Sequence, residues 1–159
     1  MQLTFYGGAG EVGRLCIMLE EGNKNLMMDC GIKLGQETEY PLIPEDQVEA
    51  IKNISISHAH MDHCGYLPHI YSKGARPNIY LTKPTRDLMG VLLADYQKIH
   101  KEKSGQKQLF STKDVNQVMQ EAKIAEYNEP ISSDYKITFR PKNFYESCNE
   151  IFEHVWSIP

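Results

Sequence analysis

The sequence predicts a mixed α/β fold, of the class α/β (α+β), because two kinds of segment alternate along it. Short segments that are rich in β-branched and aromatic residues, or that alternate apolar and polar residues, are typical of strands. Longer segments with apolar residues at helical spacing are typical of helices. The principal strand candidates are residues 3–6, 54–56, 78–81 and 135–139, and the principal helix candidates are residues 82–101 and 111–128. Strands that alternate with helices are typical of a sheet that helices cover.

Length and composition favour a single domain. The 159 residues, of which 41% are hydrophobic, are enough to bury one sizeable core. The formal net charge of −4 provides no overall basic field to attract a nucleic acid. One local group of lysines stands out, and it consists of Lys98, Lys101, Lys103 and Lys107. A solvated loop is the interpretation that such a group favours, and a phosphate-contacting edge is the alternative.

Cysteine usage indicates a reducing compartment. The four cysteines, at positions 16, 30, 64 and 148, contain no Cys-x-x-Cys pair. We therefore expect reduced thiols rather than a disulfide framework. The sequence has neither a recognisable signal peptide nor an apolar run long enough to cross a bilayer. These features predict a soluble, cytoplasmic protein with no membrane partner.

A glycine-rich stretch after the first strand candidate has two interpretations. Gly8-Ala-Gly10-Glu-Val-Gly13 fits the Gly-x-Gly-x-x-Gly dinucleotide fingerprint, and Asp29 follows at a suitable distance. That interpretation needs a helix over residues 11–21. The competing interpretation has two strands, residues 14–19 and 26–29, joined by a turn at Gly22-Asn23. Local propensity does not decide between them, but the histidine cluster described next favours the two strands.

The strongest signal is the stretch over residues 54–65, Ile-Ser-Ile-Ser-His-Ala-His-Met-Asp-His-Cys-Gly. An alternating strand leads directly into it, and in an extended backbone His58 and His60 point the same way and can share one metal ion. Asp62 and His63 follow, where the chain turns into a helix, and they would face a second ion. Imidazole and carboxylate are ligands that suit zinc. An ordinary polar turn is the alternative, but three histidines and an aspartate within six residues form a dense cluster in a chain with six histidines.

Helices are expected on both sides of this cluster. A short helix over residues 46–51 leads towards it, and the helix that Asp62 begins should continue to residue 71, with His69 facing solvent. Thr82 is the expected cap of the long helix over residues 82–101. The apolar face of that helix is expected to contain Leu88, Leu92 and Ile99, with Val91 beside them.

The last helix candidate has a clear start and a clear stop. Ser111 and Asp114 have capping-box spacing, and Pro130 ends the helical pattern of residues 111–128. A strand candidate, residues 135–139, follows.

The motifs resemble a known family. His58-Ala-His60-Met-Asp62-His63-Cys-Gly is similar to the HxHxDH signature of the metallo-β-lactamase fold. Three flanking stretches narrow the resemblance, namely Phe5-Tyr-Gly-Gly-Ala-Gly-Glu-Val-Gly-Arg14, Met28-Asp29-Cys-Gly31 and Gly65-Tyr-Leu-Pro68. Together they resemble the β-CASP branch of RNA-processing nucleases, which includes ribonuclease J and the endonuclease of the pre-mRNA cleavage and polyadenylation machinery. The sequence of these motifs is most similar to archaeal members of this branch, and the similarity covers residues 2–139.

This resemblance implies both a fold and a chemistry. The fold would be the N-terminal half of a metallo-β-lactamase αββα sandwich. His58 and His60 would hold one zinc ion, and Asp62 and His63 a second. Asp62 would also position or deprotonate the water that attacks an RNA phosphodiester. Asp29 would orient the ligand loop without binding metal, although an aspartate that opens a turn before Gly31 is an equally good interpretation of the sequence alone.

The sequence departs from the family after residue 139. In the family, a strand like residues 136–139 leads to a Gly-His pair whose histidine completes the first metal site, and this chain has no Gly-His pair. We therefore divide the chain into a partial metallo-β-lactamase domain, residues 1–139, and a divergent or truncated tail, residues 140–159. His154 in the tail could replace the missing ligand, although a histidine in an apolar and aromatic stretch is more often structural.

Three functions follow as hypotheses. The first is the N-terminal portion of a zinc-dependent ribonuclease in RNA processing or decay, with RNA as its partner. The second is an inactive remnant or metal-binding module, since the ligand set is incomplete, and this chain alone should be weak or inactive as an enzyme. The third is a small-molecule metallo-hydrolase. A homodimer or a complementing chain could complete the site.

Overall fold

The computed structural model describes residues 1–102, 109–132 and 135–139. The chain begins with strands β1 (Gln2–Gly7), β2 (Cys16–Glu21) and β3 (Lys24–Met28), and a 3₁₀ helix (Glu45–Ala50) precedes β4 (Asn53–Ser55). Next come helices α1 (Met61–Cys64) and α2 (Leu67–Ser72), strand β5 (Asn78–Leu81), and helices α3 (Lys83–Glu102) and α4 (Thr112–Glu121). Strands β6 (Lys123–Ile124), β7 (Pro130–Ser132) and β8 (Lys136–Thr138) follow. The predicted mixed α/β class is confirmed.

The main sheet has six strands in the order β1-β2-β3-β4-β5-β6. The first three strands are antiparallel neighbours, and β3 to β6 are parallel neighbours. A two-residue turn joins β2 to β3, because Glu21 pairs with Lys24, and Gly22 supplies the positive φ of 59° that this tight turn needs. The dinucleotide-binding interpretation is therefore wrong, since β2 occupies the residues where it needs a helix.

One face of the main sheet carries the core. Side chains that alternate along the strands, such as Met27, Ile54 and Ile79, are fully buried on this face. The helices pack over them and contribute residues such as Leu67 and Leu93. This packing buries most of the apolar side chains of the described residues in one continuous core.

The described residues cover the opposite face only in part. Leu19, Leu26 and Met28 form a second, smaller cluster there, and Tyr135 and Ile137 at β8 pack against it. The two-stranded sheet β7–β8 therefore lies on the outer face of the main sheet and gives the layer order helix, sheet, sheet.

The buried face of α3 differs from the expected one. Leu88, Val91 and Ile99 are exposed, with 60%, 66% and 43% of their surface accessible, whereas Met89 and Leu93 are fully buried. The expected apolar face is therefore wrong for these three exposed residues, whereas Leu92 is partly buried and packs against the core. Apolar residues occur on both sides of this helix, and spacing alone did not show which side faces the core.

Two further expectations in the helical region are wrong. The helix expected from Asp62 to residue 71 is two short helices. His69 in the second helix is buried rather than solvent-facing, and its Nδ1 lies 2.9 Å from the carbonyl oxygen of Leu109. The helix expected over residues 111–128 ends at Glu121, because the next residues pair with β5 as β6. The predicted capping box of Ser111 and Asp114 is confirmed.

Some expectations fall outside the described residues. Lys103, Lys107, Cys148 and His154 lie there, as does the whole stretch of residues 140–159. Among the helices that are described, none combines the length and apolar character needed to cross a membrane.

Candidate metal centre

The histidine cluster lies at the carboxyl ends of two neighbouring parallel strands. Met28 of β3 pairs with Ser55 of β4. Asp29 follows the first strand, and Ser57 and His58 follow the second. Because the carboxyl ends of parallel strands meet at one edge of a sheet, these side chains converge although 28 residues separate Asp29 from Ser57. His60 is still extended and caps α1, so the chain turns into a helix between the two halves of the motif.

Backbone hydrogen bonds fix the loop that carries the motif. Cys30 N–H donates to the His63 carbonyl at 2.7 Å, and Ile32 N–H donates to the Met61 carbonyl at 2.9 Å. The intervening Gly31 approaches the loop so closely that a Cβ atom there would lie 1.7 Å from the Asp62 carbonyl oxygen. Glycine is therefore required at this position if the loop is to keep its place.

Asp29 is the buried anchor of the cluster. Only 5% of its surface is accessible. Its Oδ1 accepts the backbone N–H of Ser57 at 2.7 Å, and its Oδ2 lies 2.8 Å from Ser57 Oγ and 2.9 Å from His63 Nδ1. This carboxylate therefore fixes the imidazole of His63 through Nδ1, and Nε2 of that ring is not used in the contact.

The four candidate ligands form two adjacent pairs. His58 Nε2 lies 3.2 Å from His60 Nδ1, and His63 Nε2 lies 3.6 Å from Asp62 Oδ2. Two ligand atoms about 2.0–2.1 Å from one tetrahedral zinc ion are about 3.3–3.4 Å apart, so both spacings fit a shared ion. The pairs are neighbours, because the His58 and His63 ring centroids are 3.8 Å apart.

Each pair is incomplete within the described residues. No set of three or more His, Cys, Asp or Glu side chains able to hold a metal ion occurs in residues 1–102, 109–132 and 135–139. The donor types and the spacing fit zinc, but a closed structural site needs four ligands and a catalytic site commonly has three protein ligands. The described part of the chain therefore offers two candidate ligands in each of the two adjacent pairs.

The two neighbouring histidines have opposite pKa shifts. Burial lowers the pKa of His58, and the nearby His63 lowers it further. Burial also acts to lower the pKa of His63, but the hydrogen bond and charge of Asp29, together with the charge of Asp62, outweigh it and raise that pKa. The carboxylates beside His63 therefore stabilise its protonated form, whereas the surroundings of His58 favour the neutral ring.

The described cysteines are structural residues. Cys16, Cys30 and Cys64 are free thiols with no accessible surface. Burial raises the pKa of Cys30 and of Cys64 well above the usual range for a thiol. The thiols of Cys30 and Cys64 therefore stay protonated, which makes them poor metal ligands.

The sequence motifs did not reveal a charged network beside the cluster. Glu11 pairs with Arg14 at 2.6 Å and with Lys33 at 3.2 Å, and Lys33 also pairs with Glu39 at 3.0 Å. These contacts tie the glycine-rich loop to residues 33–39. Leu15, the residue after Arg14, donates its backbone N–H to the Asp62 carbonyl at 2.8 Å. This hydrogen bond connects the charged network to the loop that carries the candidate ligands.

The sequence also did not predict a contact between Ser57 and the site residues. The Ser57 hydroxyl lies 3.0 Å from His58 Nδ1 as well as 2.8 Å from Asp29 Oδ2. The only signal available in the sequence was its position directly before the first histidine of the motif.

Comparison with known proteins shows the family. The family model described as Anti-Pycsar protein Apyc1 matches residues 12–145. Transcription termination factor FttA of Methanococcus maripaludis is 40% identical over 119 residues, which cover 72% of this chain and 19% of that protein. The probable RNase MJ4 of Methanocaldococcus jannaschii is 34% identical over 129 residues, which cover 81% of this chain and 30% of that protein. This chain therefore spans less than a third of the length of either relative.

Among solved structures, the short form of human tRNase Z matches with a TM-score of 0.38 and 19% identity, over 61% of this chain and 41% of that one.

The matched motifs and relatives define a metallo-β-lactamase-type domain of the β-CASP nuclease class, as the motif resemblance predicted. The chain also belongs to the family described as Anti-Pycsar protein Apyc1, whose model matches most of its length.

Proposed function

We propose that this chain is the N-terminal portion of a zinc-dependent ribonuclease that hydrolyses RNA phosphodiester bonds in RNA processing or decay. The observation that carries this proposal is the pair of adjacent two-ligand sites at the end of β4, with the buried Asp29 behind them. The names of two relatives, a transcription termination factor and a probable RNase, support RNA as the substrate.

Each site residue has a separate proposed role. His58 and His60 would hold one zinc ion, and Asp62 and His63 the other. Bound divalent ions would acidify water and stabilise the negative charge that develops on the phosphoryl oxygens. Asp62 is the most exposed carboxylate of the cluster, with 38% of its side chain accessible, so it can also orient the attacking water and accept its proton.

The proposal includes a division of the chain and a need for further ligands. Residues 1–139 would form part of a metallo-β-lactamase domain, and residues 140–159 a divergent tail. The missing ligands would come from His154, from a second copy or from a complementing chain. The buried, reduced cysteines support a cytoplasmic location.

A non-catalytic metal-binding module is a second candidate function. It is favoured by one observation, namely that the described residues supply two ligands to each half-site rather than three. A site so incomplete should bind zinc more weakly than a closed four-ligand site.

Metal analysis tests the site. The purified chain, passed through gel filtration in the presence of zinc, should retain metal, and His58→Ala/His60→Ala should retain much less. His100→Ala, a histidine outside the cluster, is the matched control. Equal zinc retention by the wild type and the double variant would remove the histidine cluster from consideration.

An activity assay separates the candidate functions. The wild type and Asp62→Ala are incubated with zinc or manganese and either labelled single-stranded RNA, bis(p-nitrophenyl) phosphate or p-nitrophenyl acetate. We expect slow, metal-dependent hydrolysis of the activated phosphodiester that Asp62→Ala abolishes, and little or no RNA cleavage by this chain alone. No phosphodiester turnover despite bound zinc would support the binding module, and metal-dependent turnover of the acetate alone would support a small-molecule hydrolase.

A further inference from the structure

Ser57 stands between the buried carboxylate and the first candidate ligand. Its Oγ lies 2.8 Å from Asp29 Oδ2, 3.0 Å from His58 Nδ1 and 3.2 Å from His63 Nδ1. Its backbone N–H also donates to Asp29 Oδ1 at 2.7 Å. The backbone N–H and the hydroxyl of Ser57 therefore both donate hydrogen bonds to the Asp29 carboxylate, although the Ser57 side chain is exposed.

The chemistry of these groups fixes the direction of each hydrogen bond. An ionised carboxylate only accepts, whereas a hydroxyl has one proton to donate and two lone pairs to accept with. The Ser57 hydroxyl must therefore donate its proton to Asp29 Oδ2. If the proton pointed elsewhere, lone pairs of two oxygen atoms 2.8 Å apart would face each other. The remaining lone pairs of Ser57 Oγ can only accept, so the N–H of His58 must be at Nδ1.

The same rule applies to the second ring. His63 Nδ1 lies 2.9 Å from Asp29 Oδ2 and must donate to it. The same N–H also makes a longer, bifurcated hydrogen bond to Ser57 Oγ at 3.2 Å. The second lone pair of the hydroxyl accepts this hydrogen bond. Every donor and acceptor of Ser57 and Asp29 in this group is then matched, and no other assignment of protons achieves that.

We propose that Ser57 is a positioning residue that holds His58 in the Nδ1–H tautomer. Asp29 thereby sets the tautomer of one ligand in each half-site, that of His63 directly and that of His58 through the hydroxyl of Ser57. The unprotonated Nε2 of His58 then faces His60 Nδ1 at 3.2 Å, the spacing that suits a shared ion. The ligand role of His58 rests on the proposed function, but its tautomer does not.

Nuclear magnetic resonance of the metal-free protein tests the tautomer directly. Chain labelled with ¹⁵N-histidine is measured at pH 8, and long-range ¹H–¹⁵N correlations show which ring nitrogen carries the proton. We expect His58 to be mainly the Nδ1–H tautomer in the wild type and in Ser57→Thr, and to lose that preference in Ser57→Ala. Ser72→Ala is the matched control, because Ser72 Oγ lies 3.2 Å from His69 Nδ1 in another part of the fold.

Two results would overturn the proposal. One is a wild-type His58 that carries its proton mainly on Nε2, which requires no variant to fold. The other is an unchanged tautomer in a folded Ser57→Ala chain.

Metal affinity provides the second measurement and separates this proposal from the proposed function. Competition for cobalt(II) with a chromophoric chelator should show an affinity loss of about 10–100-fold in Ser57→Ala, the range typical of groups that orient metal ligands, with recovery in Ser57→Thr. If the wild type binds no metal but its His58 tautomer depends on Ser57, the metal-dependent function fails and the positioning role stands. If the wild type binds metal and neither tautomer nor affinity changes in Ser57→Ala, the function stands and the positioning role fails.

Discussion

Asp29 combines an unusual backbone conformation with the central role in the candidate site. Its φ of 57° lies in the left-handed region, which asparagine and aspartate tolerate better than other non-glycine residues. Asp29→Asn therefore removes the charge without adding backbone strain. We expect this variant to keep its fold and to bind zinc about 10–100-fold more weakly. If the amide oxygen keeps the hydrogen bond from Ser57 N–H, the amide nitrogen, which can only donate, replaces the oxygen that accepts from His63. Chelator competition checks the affinity and circular dichroism checks the fold. Unchanged zinc affinity would show that Asp29 serves only the turn before Gly31.

His69 should make stability depend on pH. Burial lowers its pKa in the folded chain, and the positive charge of Lys73 lowers it further, against the opposing hydrogen bond to the Leu109 carbonyl. The unfolded chain therefore binds the proton more readily. The stability that neutral His69 provides is present above a pH of about 6.5 and declines as the pH falls through the folded-state pKa, with a slope of at most about 1.4 kcal/mol per pH unit.

Urea unfolding between pH 8 and pH 5 measures this effect. Because other histidines titrate in the same range, the informative quantity is the difference between the wild type and His69→Gln. We expect the wild type to lose more stability on acidification than the variant. Parallel pH profiles for the two proteins would contradict the buried neutral state of His69.

At the scale of elements, α3 provides a matched pair of leucines. Leu93 is fully buried in the core, whereas Leu88 on the same helix is 60% accessible. Leu93→Ala should lower the free energy of unfolding by about 2–5 kcal/mol, because it leaves a cavity in a packed core. Leu88→Ala should change it by less than about 0.5 kcal/mol, since surface substitutions are usually near neutral. Denaturant unfolding of both variants tests the assignment, and the reverse order would restore the face expected from the sequence.

The elements whose signals are local could be predicted from the sequence. His58, His60, Asp62 and His63 lie within six residues after a strand, and the capping box needs only Ser111 and Asp114. Features that depend on distant partners could not be predicted.

Three misses illustrate this limit. The partner of His69 is 40 residues away at Leu109, and β6 exists because β5 lies beside it rather than because of its own propensity. The role of Ser57 depends on the pairing of β3 with β4, which places Asp29 beside it. Apart from the position of Ser57 directly before the histidine motif, no local pattern indicates any of the three.

For the molecule as a whole, part of the outer face of the sheet is left uncovered by the described residues. Leu3 and Phe5 of the edge strand β1 are exposed on this face, with 51% and 54% of their surface accessible, while the neighbouring Tyr6 points into the core. An apolar surface next to an edge strand favours association between chains.

We therefore expect this chain to self-associate as its concentration rises. Leu3→Ser/Phe5→Ser should reduce the association measured by sedimentation velocity without changing the circular dichroism spectrum. Val12→Ser is the matched control, because Val12 is 87% accessible but lies in the glycine-rich loop rather than in the sheet. A strictly monomeric wild type with one sharp cooperative thermal transition would contradict this prediction and indicate a self-sufficient domain.

The parallel pairing of β3 with β4 also has a kinetic consequence. The hairpin of β2 and β3 closes over a two-residue turn, whereas the contacts of Asp29 with Ser57 and His63 close loops of 28 and 34 residues. Contacts between distant residues form more slowly than local ones. During refolding, secondary structure should therefore appear before the chain can capture zinc. A zinc-responsive dye followed beside far-ultraviolet circular dichroism would then record the moment at which the two halves of the site meet.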